Sequence, residues 1–347
     1  MPTERERFSA GEVAIVLSRY ELGVINVARD YARGSRQSPK LVLGTSQGGY
    51  ILKRRARGRD DPRRVEFSHD LLRHLRQRSF PVPRIVATRG GHESVLVLND
   101  RTYELFEFVR GQKYDESLEQ TMHAGRTLAR FHRAVAEFRS RWKPSDTGFH
   151  DNDAVGRGLN SIPTTTAGHD SVVGHEAELL SIVQELHERY DEAAGEAGRL
   201  MPDSPHARII HADWHPGNML FKGRKVAVVL DFDGARFAAP VNDVANGMLQ
   251  FSILRGAGEP SQWPSFFDET RMRRFLLGYA SKVKLSEHEL RAIPHLMIEA
   301  LIAESVVPIA VTGSFGRLPG FGVLQMVRRK VRWLDGALKH IRDWLLQ

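Results

Sequence analysis

Hydrophobic and polar residues alternate with two different periods in the first hundred positions. The runs KLVLG (40–44) and YILKR (50–54) are rich in β-branched and aromatic residues. They are separated by the glycine-containing stretch TSQGG, which predicts a β-hairpin. Residues 63–78 instead place apolar side chains at helical spacing after Pro62. The prolines of FPVPR (80–84) end this predicted helix, because proline cannot continue one.

A second hairpin and then a long helical region are predicted downstream. SVLVL (94–98) and TYELFEFV (102–109) flank a polar turn. The pattern therefore indicates an α+β protein with two lobes: a small antiparallel-sheet lobe with one helix at 1–109, and a larger, mainly helical lobe at 110–347. In the larger lobe, helices are predicted at 117–138, at 175–197 and over most of 243–346, with a break at 312–322. A long loop is predicted at 141–172, and strands are predicted at 208–210 and 225–233.

Composition is consistent with this two-lobe picture and narrows the class of protein. A chain of 347 residues is long enough for two cores, and its 41% hydrophobic and 27% charged residues are typical of a soluble globular protein. No run approaches the roughly 18 uninterrupted apolar residues of a membrane helix. The charged N-terminus lacks a secretory signal, and the absence of cysteine excludes disulfides and thiolate zinc sites. We expect a cytoplasmic protein without a membrane partner.

The net charge of +8 is unevenly distributed. Residues 1–100 contain 19 Lys and Arg against 11 Asp and Glu, and the densest basic run is KRRARGRDDPRR, 53–64. Nucleic-acid binding by this run is an alternative reading. However, the run has no interleaved aromatic residues and matches no nucleic-acid-binding motif, so a solvated connection between a strand and a helix is favoured.

The candidate chemistry lies in HADWHPGNMLF (211–221) and in LDFD (230–233) just downstream. Pro216 and Gly217 predict a tight turn, and the apolar strand that follows would carry Asp231 to its end. A carboxylate that orients a hydroxyl, together with oxygen ligands for Mg²⁺, is what phosphoryl transfer requires. Zinc binding through His215 and a simple backbone-capping turn are the alternatives.

Several motifs in the same order resemble the aminoglycoside phosphotransferase-like family, which includes type II homoserine kinases, methylthioribose kinases and choline kinases and shares the protein-kinase fold. HADWHPGN followed by LDFD resembles the family's catalytic and metal-binding signature. The resemblance spans roughly residues 40–250. The further matching motifs are GYILK, FPVPR, YELFEFVRG, AGRTLARFH and VNDVA.

The resemblance implies a kinase that uses ATP and Mg²⁺ to phosphorylate a hydroxyl of a small molecule. Asp213 would be the catalytic base, Asn218 and Asp231 would hold Mg²⁺, and Lys53 would contact the α- and β-phosphates. The other residues that it implies are Glu66 as the acid paired with the lysine (Asp70 is the alternative), Gly34 and Ser35 over the phosphates, the backbone of Glu104, Phe106 and Glu107 at the adenine, and His211, Asp233 and Asp243 in supporting positions.

The chain also departs from the family pattern. The predicted phosphate loop, ARGSRQSPK (32–40), contains one glycine where a richer loop is usual, so a non-catalytic nucleotide- or partner-binding protein is the alternative function. Residues 313–347 hold seven Lys and Arg against two Asp, which favours a neutral, zwitterionic or anionic acceptor over a polycationic one. A homoserine-like compound or another amino alcohol is the expected acceptor. The sequence leaves open ATP versus GTP and the oligomeric state.

Overall fold

The chain folds into two compact units. The computed structural model describes residues 5–31, 34, 36–91, 93–144, 148–201 and 207–346. We call the first unit, made of residues 1–114, 131–145 and 217–235, the sheet unit, and the second, made of 115–130, 146–216 and 236–347, the helical unit. Both units are discontinuous along the chain. The lobe boundary between residues 109 and 110 stays a prediction.

The sheet unit is built on a five-stranded antiparallel sheet. Its strands are Ile25–Asp30 (β1), Lys40–Thr45 (β2), Gly48–Arg54 (β3), Leu96–Leu98 (β4) and Arg101–Glu107 (β5). They lie in the order β1-β2-β3-β5-β4, so both predicted hairpins are present. Val16, Leu43, Leu52 and Leu105 are completely buried in one core cluster of this unit. Burying each such side chain contributes about 1.5–3 kcal/mol to folding.

Two helices complete the first part of the sheet unit, Ala10–Leu17 (α1) and Pro62–Gln77 (α2). Helix α1 begins at a capping box, in which Ser9 and Glu12 each accept the other's backbone N–H. Helix α2 begins with Asp61 as its N-cap and Pro62 in the first turn, as the sequence predicts.

Beyond Tyr114 the chain is mainly helical, with short strands between the helices. In order, the elements are Leu118–Ala134 (α3), Asp153–Thr165 (α4), Glu176–Leu200 (α5), Arg208–Ile210 (β6), Met219–Lys222 (β7), Lys225–Val229 (β8), Arg236–Ala238 (β9), Pro240–Ser252 (α6), Glu269–Ala280 (α7), Glu287–Thr312 (α8), Ser314–Phe315 (β10), Leu318–Pro319 (β11) and Gly320–Leu345 (α9). Strands β10 and β11 form a small hairpin at the predicted break between the last two helices.

The hairpin of β7 and β8 belongs to the sheet unit although it lies more than a hundred residues after the sheet. The N–H of Val229 donates to the carbonyl of Pro81 at 2.8 Å. Gln112 and Phe221 exchange two backbone hydrogen bonds of 2.8 Å. These bonds attach the segment that carries the LDFD motif to residues close to the sheet. The strand predicted at 225–233 ends earlier, at Val229.

The prediction of a long loop at 141–172 is wrong, because helix α4 lies inside it. The side chain of Asn152 caps the helix by accepting the N–H of Ala154 at 2.9 Å. Val155, Leu159 and Ile162 follow at helical spacing and are completely buried. The burial of this apolar face outweighs the low helix propensity of the surrounding glycines, proline and threonines.

Within the helical unit, residues 118–130 of α3 cross α7 at very close range through a pair of glycines. A Cβ atom placed on Gly125 would overlap the backbone carbonyl of Phe275 in α7. A Cβ on Gly278 would likewise overlap the carbonyl of Met122. Only residues without a side chain allow the two backbones to approach this closely.

Helix α8 is apolar and long enough to cross a membrane by length and composition. It is also buried inside the helical unit over 61% of its most apolar window. Most of its length therefore packs as a core helix of a soluble protein does. No other helix among the described residues meets the same criteria.

Candidate active site

In the helical unit, the loop after β6 is held by a single buried carboxylate. Asp243, in the first turn of α6, is completely buried and accepts the N–H of His211 at 2.7 Å and that of Ala212 at 2.8 Å. Ala212 has a φ of 66°, in the left-handed region that costs a residue with a Cβ free energy. Asp213 is the next residue, and 45% of its side chain is exposed. The carboxylate of Asp243 therefore holds the backbone of the loop next to Asp213.

The two histidines of the loop have different surroundings. His211 is completely buried and packs edge-on against Trp214, with ring centroids 5.3 Å apart. Its Nδ1 accepts the N–H of Asp213 at 3.3 Å, a hydrogen bond within the loop. His215 is partly exposed, with Nε2 3.4 Å from Oδ1 of Asp213. Among the described residues, no three His, Asp or Glu side chains cluster as a metal site, so the zinc reading of His215 gains no support.

In the sheet unit, Asn218 and Asp231 lie at the same end of the β7–β8 hairpin. Pro216–Asn218 form a 3₁₀ turn, and the carbonyl of Asn218 accepts the N–H of Leu230 at 2.8 Å. Asp231 follows Leu230 and has a φ of 61°, a second left-handed residue with a side chain. One amide and one carboxylate, completed by phosphate oxygens, match the donors that Mg²⁺ takes in nucleotide sites. These two residues therefore fit a magnesium ion bound with a nucleotide.

Lys53 is part of a dense ionic cluster within the sheet unit. Its Nζ lies 2.9 Å from Oδ2 of Asp233 and 3.8 Å from Oε2 of Glu104. Arg55 pairs with the same two acids, and Nε2 of His69 lies 2.8 Å from Oε1 of Glu104. Glu104 is 1% exposed. The cluster therefore holds the lysine ammonium between two carboxylates.

The pKa values of the cluster follow from burial opposed by charge. Burial acts to raise the pKa of Glu104, but the charges of Arg55 and Lys53 hold that pKa well below its ordinary value. Burial acts in the same way on Asp233, and the charges of Lys53 and Arg55 lower its pKa to about 2. Burial acts to lower the pKa of Lys53, and the charge of Asp233 is the largest opposing cause, with a net rise. All three groups are therefore charged at neutral pH.

The prediction that a helix acid pairs with Lys53 is wrong. Glu66 accepts a hydrogen bond from Ser94 at 3.4 Å and lies 3.8 Å from Arg73. Asp70 pairs with Arg73 at 3.0 Å and accepts the hydroxyl of Ser140 at 2.7 Å. The antiparallel register of β3 and β5 instead puts Glu104 directly opposite Lys53, and this register could not be read from the sequence.

The adenine-binding prediction also needs correction at Glu104 and Phe106. In an antiparallel pair, the hydrogen-bonding groups of successive residues point to opposite sides. Because the N–H of Phe108 donates to the carbonyl of Gly49 at 2.9 Å, the backbone groups of Glu104 and Phe106 face β3 and belong to its ladder. These groups are therefore not available to an adenine base.

The opposite edge of β5 carries the remaining groups of the predicted hinge. The N–H of Glu107 donates to the carbonyl of Arg84 at 2.8 Å. In the part of the chain that the structure describes, no backbone hydrogen bond reaches the carbonyl of Glu107 or the N–H of Val109. These two groups form one acceptor and one donor at the end of the strand, which is the pair that an adenine edge requires.

The predicted phosphate loop joins β1 to β2. Gly34 has a φ of 80°, and its carbonyl accepts a hydrogen bond from Arg5 at 3.2 Å. Ser35 lies outside the described residues. At the end of the loop, Lys40 stands directly opposite Lys53 in the β2–β3 register. Burial and the charge of Lys53 lower the pKa of Lys40. Sequence reasoning missed this second lysine, because the register that aligns the two depends on where the hairpin turns.

Two sets of basic residues have structural rather than ligand-binding contacts. In the run at 53–64, Arg54 is 7% exposed and pairs with Glu6 and Glu12, contrary to the solvated surface expected there. In α9, Arg328 pairs with Glu178 at 3.0 Å, and Lys330 donates to the carbonyl of Phe266 at 3.2 Å. The basic C-terminal segment is therefore not evidence for the charge of an acceptor.

Comparison with known structures identifies the fold of this chain. An amicoumacin kinase in complex with AMP-PNP, Ca²⁺ and Ami aligns with a TM-score of 0.68 at 16% identity, covering 97% of this chain and 94% of that one. A microcompartment-associated aminopropanol kinase aligns with a TM-score of 0.68 at 17% identity, covering 96% and 98%. The fold is an α+β, kinase-like fold.

Sequence comparison identifies the family. Residues 29–280, well over half of the chain, match the model of the phosphotransferase enzyme family. The chain belongs to this family. It is 27% identical over 308 residues to a homoserine kinase of Bradyrhizobium diazoefficiens, covering 85% of this chain and 82% of that protein. It is a small-molecule kinase that uses ATP and has a hydroxyl as its acceptor group. The non-catalytic alternative finds no support in these similarities.

Proposed function

We propose that this protein is a cytoplasmic, Mg²⁺-dependent kinase that phosphorylates the side-chain hydroxyl of homoserine or of a close relative. The homoserine kinases that match more than four fifths of the chain support this choice of acceptor. The aminopropanol kinase among the solved structures also points to a small amino alcohol. A compact acceptor of this kind requires recognition by a few charged groups.

Asp213 is the proposed catalytic base. The observation that carries this assignment is the fixing of its loop by two hydrogen bonds to the buried carboxylate of Asp243. The loop is rigid at that point while the Asp213 side chain stays partly exposed, so it can accept a hydrogen bond from an incoming hydroxyl. Orienting that hydroxyl and accepting its proton is the chemistry that Asp213 contributes.

The nucleotide is proposed to bind to the sheet unit. The carbonyl of Glu107 and the N–H of Val109 would bind the adenine edge, and Lys53 and Lys40 would neutralise phosphate charge. Asn218 and Asp231 would hold Mg²⁺, whose charge stabilises the transferring phosphoryl group when the ion is bound. Asp233 would act indirectly, because its carboxylate fixes Lys53.

Two aspartate variants test this proposal. Asp213→Asn should lower kcat for homoserine by about 10³-fold or more, because the hydroxyl loses its proton acceptor, while ATP binding stays within about twofold. Asp231→Asn should instead abolish Mg²⁺-dependent ATP binding measured by calorimetry. Asp191→Asn, on the exposed face of α5, removes the same charge elsewhere and serves as the control. Full turnover by Asp213→Asn would contradict the assignment.

The acceptor is tested with a panel of hydroxyl compounds. Purified protein, ATP and Mg²⁺ would be incubated with homoserine, an amino alcohol, choline, methylthioribose and an aminoglycoside, with mass-spectrometric detection of the phosphorylated product. We expect the largest kcat/KM for homoserine. A larger kcat/KM for the aminoglycoside would contradict the proposed acceptor but not the kinase class.

A further inference from the structure

One face of helix α6 leads from the loop of Asp213 to a second acidic residue in the helical unit. Asp243, Asn246 and Gln250 are spaced by three and four residues, which puts them in one row along the helix. Asp243 binds the backbone of the loop at one end of this row. At the other end, Nε2 of Gln250 donates to Oε2 of Glu304 in α8. Glu304 is therefore about two helical turns from the loop, or roughly 10 Å along the axis.

The surroundings of Glu304 favour a positively charged neighbour. Burial raises the pKa of its carboxyl to about 7, and the negative charge of Asp213 acts in the same direction. His215, Asn246 and Gln250 oppose this shift only in part. Among the described residues, no Lys or Arg lies within ion-pair distance of Glu304. A cation that entered here would relieve the repulsion between two carboxyl groups.

A positive group lies on the strand that pairs with β6, the strand that leads into the same loop. Arg236 begins strand β9 and pairs with Ile210, three residues before Asp213. Its side chain is largely removed from solvent, and this burial lowers its pKa. The negative charges of Asp243 and Asp213 act on that pKa in the opposite direction. One basic residue, on the strand paired with β6, and one acidic residue, joined to α6 from α8, therefore lie on elements that adjoin the loop of Asp213.

We propose that Glu304 and Arg236 recognise the two charges of a zwitterionic amino-acid acceptor, Glu304 binding its ammonium group and Arg236 its carboxylate, while Asp213 faces its hydroxyl. This inference rests on the proposed function and specifies how that site selects its acceptor. Charged groups of a small ligand lose water on binding and need partners of opposite charge in the protein. Glu304 and Arg236 supply both signs beside the proposed base.

Three acceptors separate the two contributions without any mutation. Homoserine carries both charges, 3-amino-1-propanol lacks the carboxylate, and 4-hydroxybutyrate lacks the ammonium group. A hydrogen bond to a charged group changes binding by roughly 10- to 100-fold, so we expect KM for each analogue to exceed that for homoserine by about this factor. Equal KM values for all three compounds would overturn the inference.

Two charge-removing variants then assign each charge to its residue. Glu304→Gln should raise KM for homoserine and 3-amino-1-propanol by about 10- to 100-fold and leave KM for 4-hydroxybutyrate within about threefold. Arg236→Gln should show the opposite pattern, raising KM for homoserine and 4-hydroxybutyrate only. A purely structural role of either residue would raise KM for all three acceptors alike, and that result would overturn its assignment.

Matched controls remove the same charges elsewhere in the helical unit. Glu188→Gln and Arg291→Gln lie on exposed helix faces and should change no KM by more than about twofold. If either site variant fails to fold, as judged by its unfolding curve, Glu304→Asp and Arg236→Lys replace it because they keep the charge. These variants should still have a lower KM for homoserine than for either analogue, although each KM is higher than in wild type.

Direct binding distinguishes failure of the inference from failure of the proposed function. Calorimetric titration of the three compounds would be done on wild-type protein and on both variants, with a non-hydrolysable ATP analogue and Mg²⁺ present. Binding with the expected pattern but without turnover of homoserine would uphold the inference and contradict the proposed function. If homoserine is phosphorylated but the variants lose affinity for all three compounds equally, the inference is contradicted and the proposed function is not.

Discussion

Glu104 lies directly opposite Lys53 in neighbouring antiparallel strands, with Oε2 3.8 Å from the lysine Nζ. The same carboxylate is paired with Arg55 and contacts His69, and it is almost completely buried. Glu104 of β5 and Asp233, rather than an acid from helix α2, therefore hold the proposed phosphate-binding lysine. The register of β3 and β5 puts Glu104 opposite Lys53.

Replacing Glu104 with Gln should weaken ATP binding and destabilise the fold. The change leaves Arg55 with Asp233 as its remaining partner, and breaking a buried ion pair typically costs about 3–5 kcal/mol. We expect KM for ATP to rise by about tenfold and the urea midpoint of unfolding to fall. Glu66→Gln is the matched control in α2 and should change KM for ATP less than about twofold. A larger rise of KM for ATP in Glu66→Gln than in Glu104→Gln would instead indicate that Glu66 is the partner of Lys53.

Replacing Asp243 with Asn should lower kcat while sparing the nucleotide. The N–H groups of His211 and Ala212 donate to different oxygens of the carboxylate, and in asparagine one of these two oxygens is replaced by an NH₂ group, which cannot accept. Loss of a hydrogen bond to a charged acceptor costs about 1.5–3 kcal/mol, so we expect kcat to fall by roughly 10- to 100-fold. Steady-state kinetics at saturating ATP would measure this change.

A second substitution separates positioning from general damage. Ala212→Gly in the Asp243→Asn background removes the cost of the left-handed conformation, about 1 kcal/mol, and should recover part of the lost kcat. Asp153→Asn, in the first turn of α4, serves as a carboxylate control that leaves kcat unchanged. Wild-type kcat in Asp243→Asn would show that the loop does not depend on this carboxylate.

The raised pKa of Glu304 predicts how stability changes with pH. The folded protein holds this proton up to about pH 7, whereas an ordinary glutamate releases it near 4.5. The carboxyl therefore contributes stability that is fully present below pH 4.5 and is lost as pH rises through 7. The free energy of unfolding of wild type minus that of Glu304→Gln should fall by about 1–3 kcal/mol over this window. A difference that stays constant in urea titrations at several pH values would contradict this prediction.

The same proton predicts a pH-dependent acceptor preference. The groups facing Glu304 are Asp213 and His215 of the loop and Asn246 and Gln250 of α6. Only the ionised carboxylate attracts an ammonium group, so the ratio of KM for 3-amino-1-propanol to KM for 4-hydroxybutyrate should fall as pH rises through 7. A titrating group that changes both KM values by the same factor leaves this ratio unchanged. A ratio that changes equally in Glu304→Gln would assign the effect to another group.

The close crossing of α3 and α7 predicts a position where even one methyl group destabilises the fold. Gly125→Ala places a Cβ against the carbonyl of Phe275, and overpacking of this kind costs about 1–3 kcal/mol or more. Gly195→Ala in α5 is the matched control, since its Cβ would meet no atom within 4 Å. That control should leave stability unchanged or raise it by up to about 1 kcal/mol. Thermal unfolding of the two variants measures the difference, and equal stability would contradict the close approach.

The sequence predicted the order and type of most elements because their signals are local. The hairpins of the sheet, the start of α2 at Pro62 and the long helices follow from periodicity and turn residues within a few positions. Helix α4 was missed because its surroundings are rich in helix-breaking residues. Its evidence is the spacing of Val155, Leu159 and Ile162 and the cap at Asn152. Spacing was the better guide there than composition.

The candidate site was predictable where one motif carries it and not where distant residues meet. The segment from His211 to Asp233 identified the loop and the proposed metal-binding pair. The partners of Lys53 depend on strand register, and the alignment of Lys40 with Lys53 depends on where one hairpin turns. Glu304 and Arg236 have no signature at all in the sequence, because helix packing and a strand pair place them beside the loop.

The discontinuity of the sheet unit has a consequence for its synthesis on the ribosome. The strands that hold Lys53 and Glu104 emerge first, but the hairpin that carries Asn218 and Asp231 is made more than a hundred residues later. Until then the backbone groups of Pro81 and Gln112 lack their partners in that hairpin. Residues 1–114 therefore cannot complete their own unit until residues 217–235 have been synthesised. A plasmid that encodes only this N-terminal fragment would produce an incomplete domain, and completing that domain in trans would require both residues 131–145 and residues 217–235.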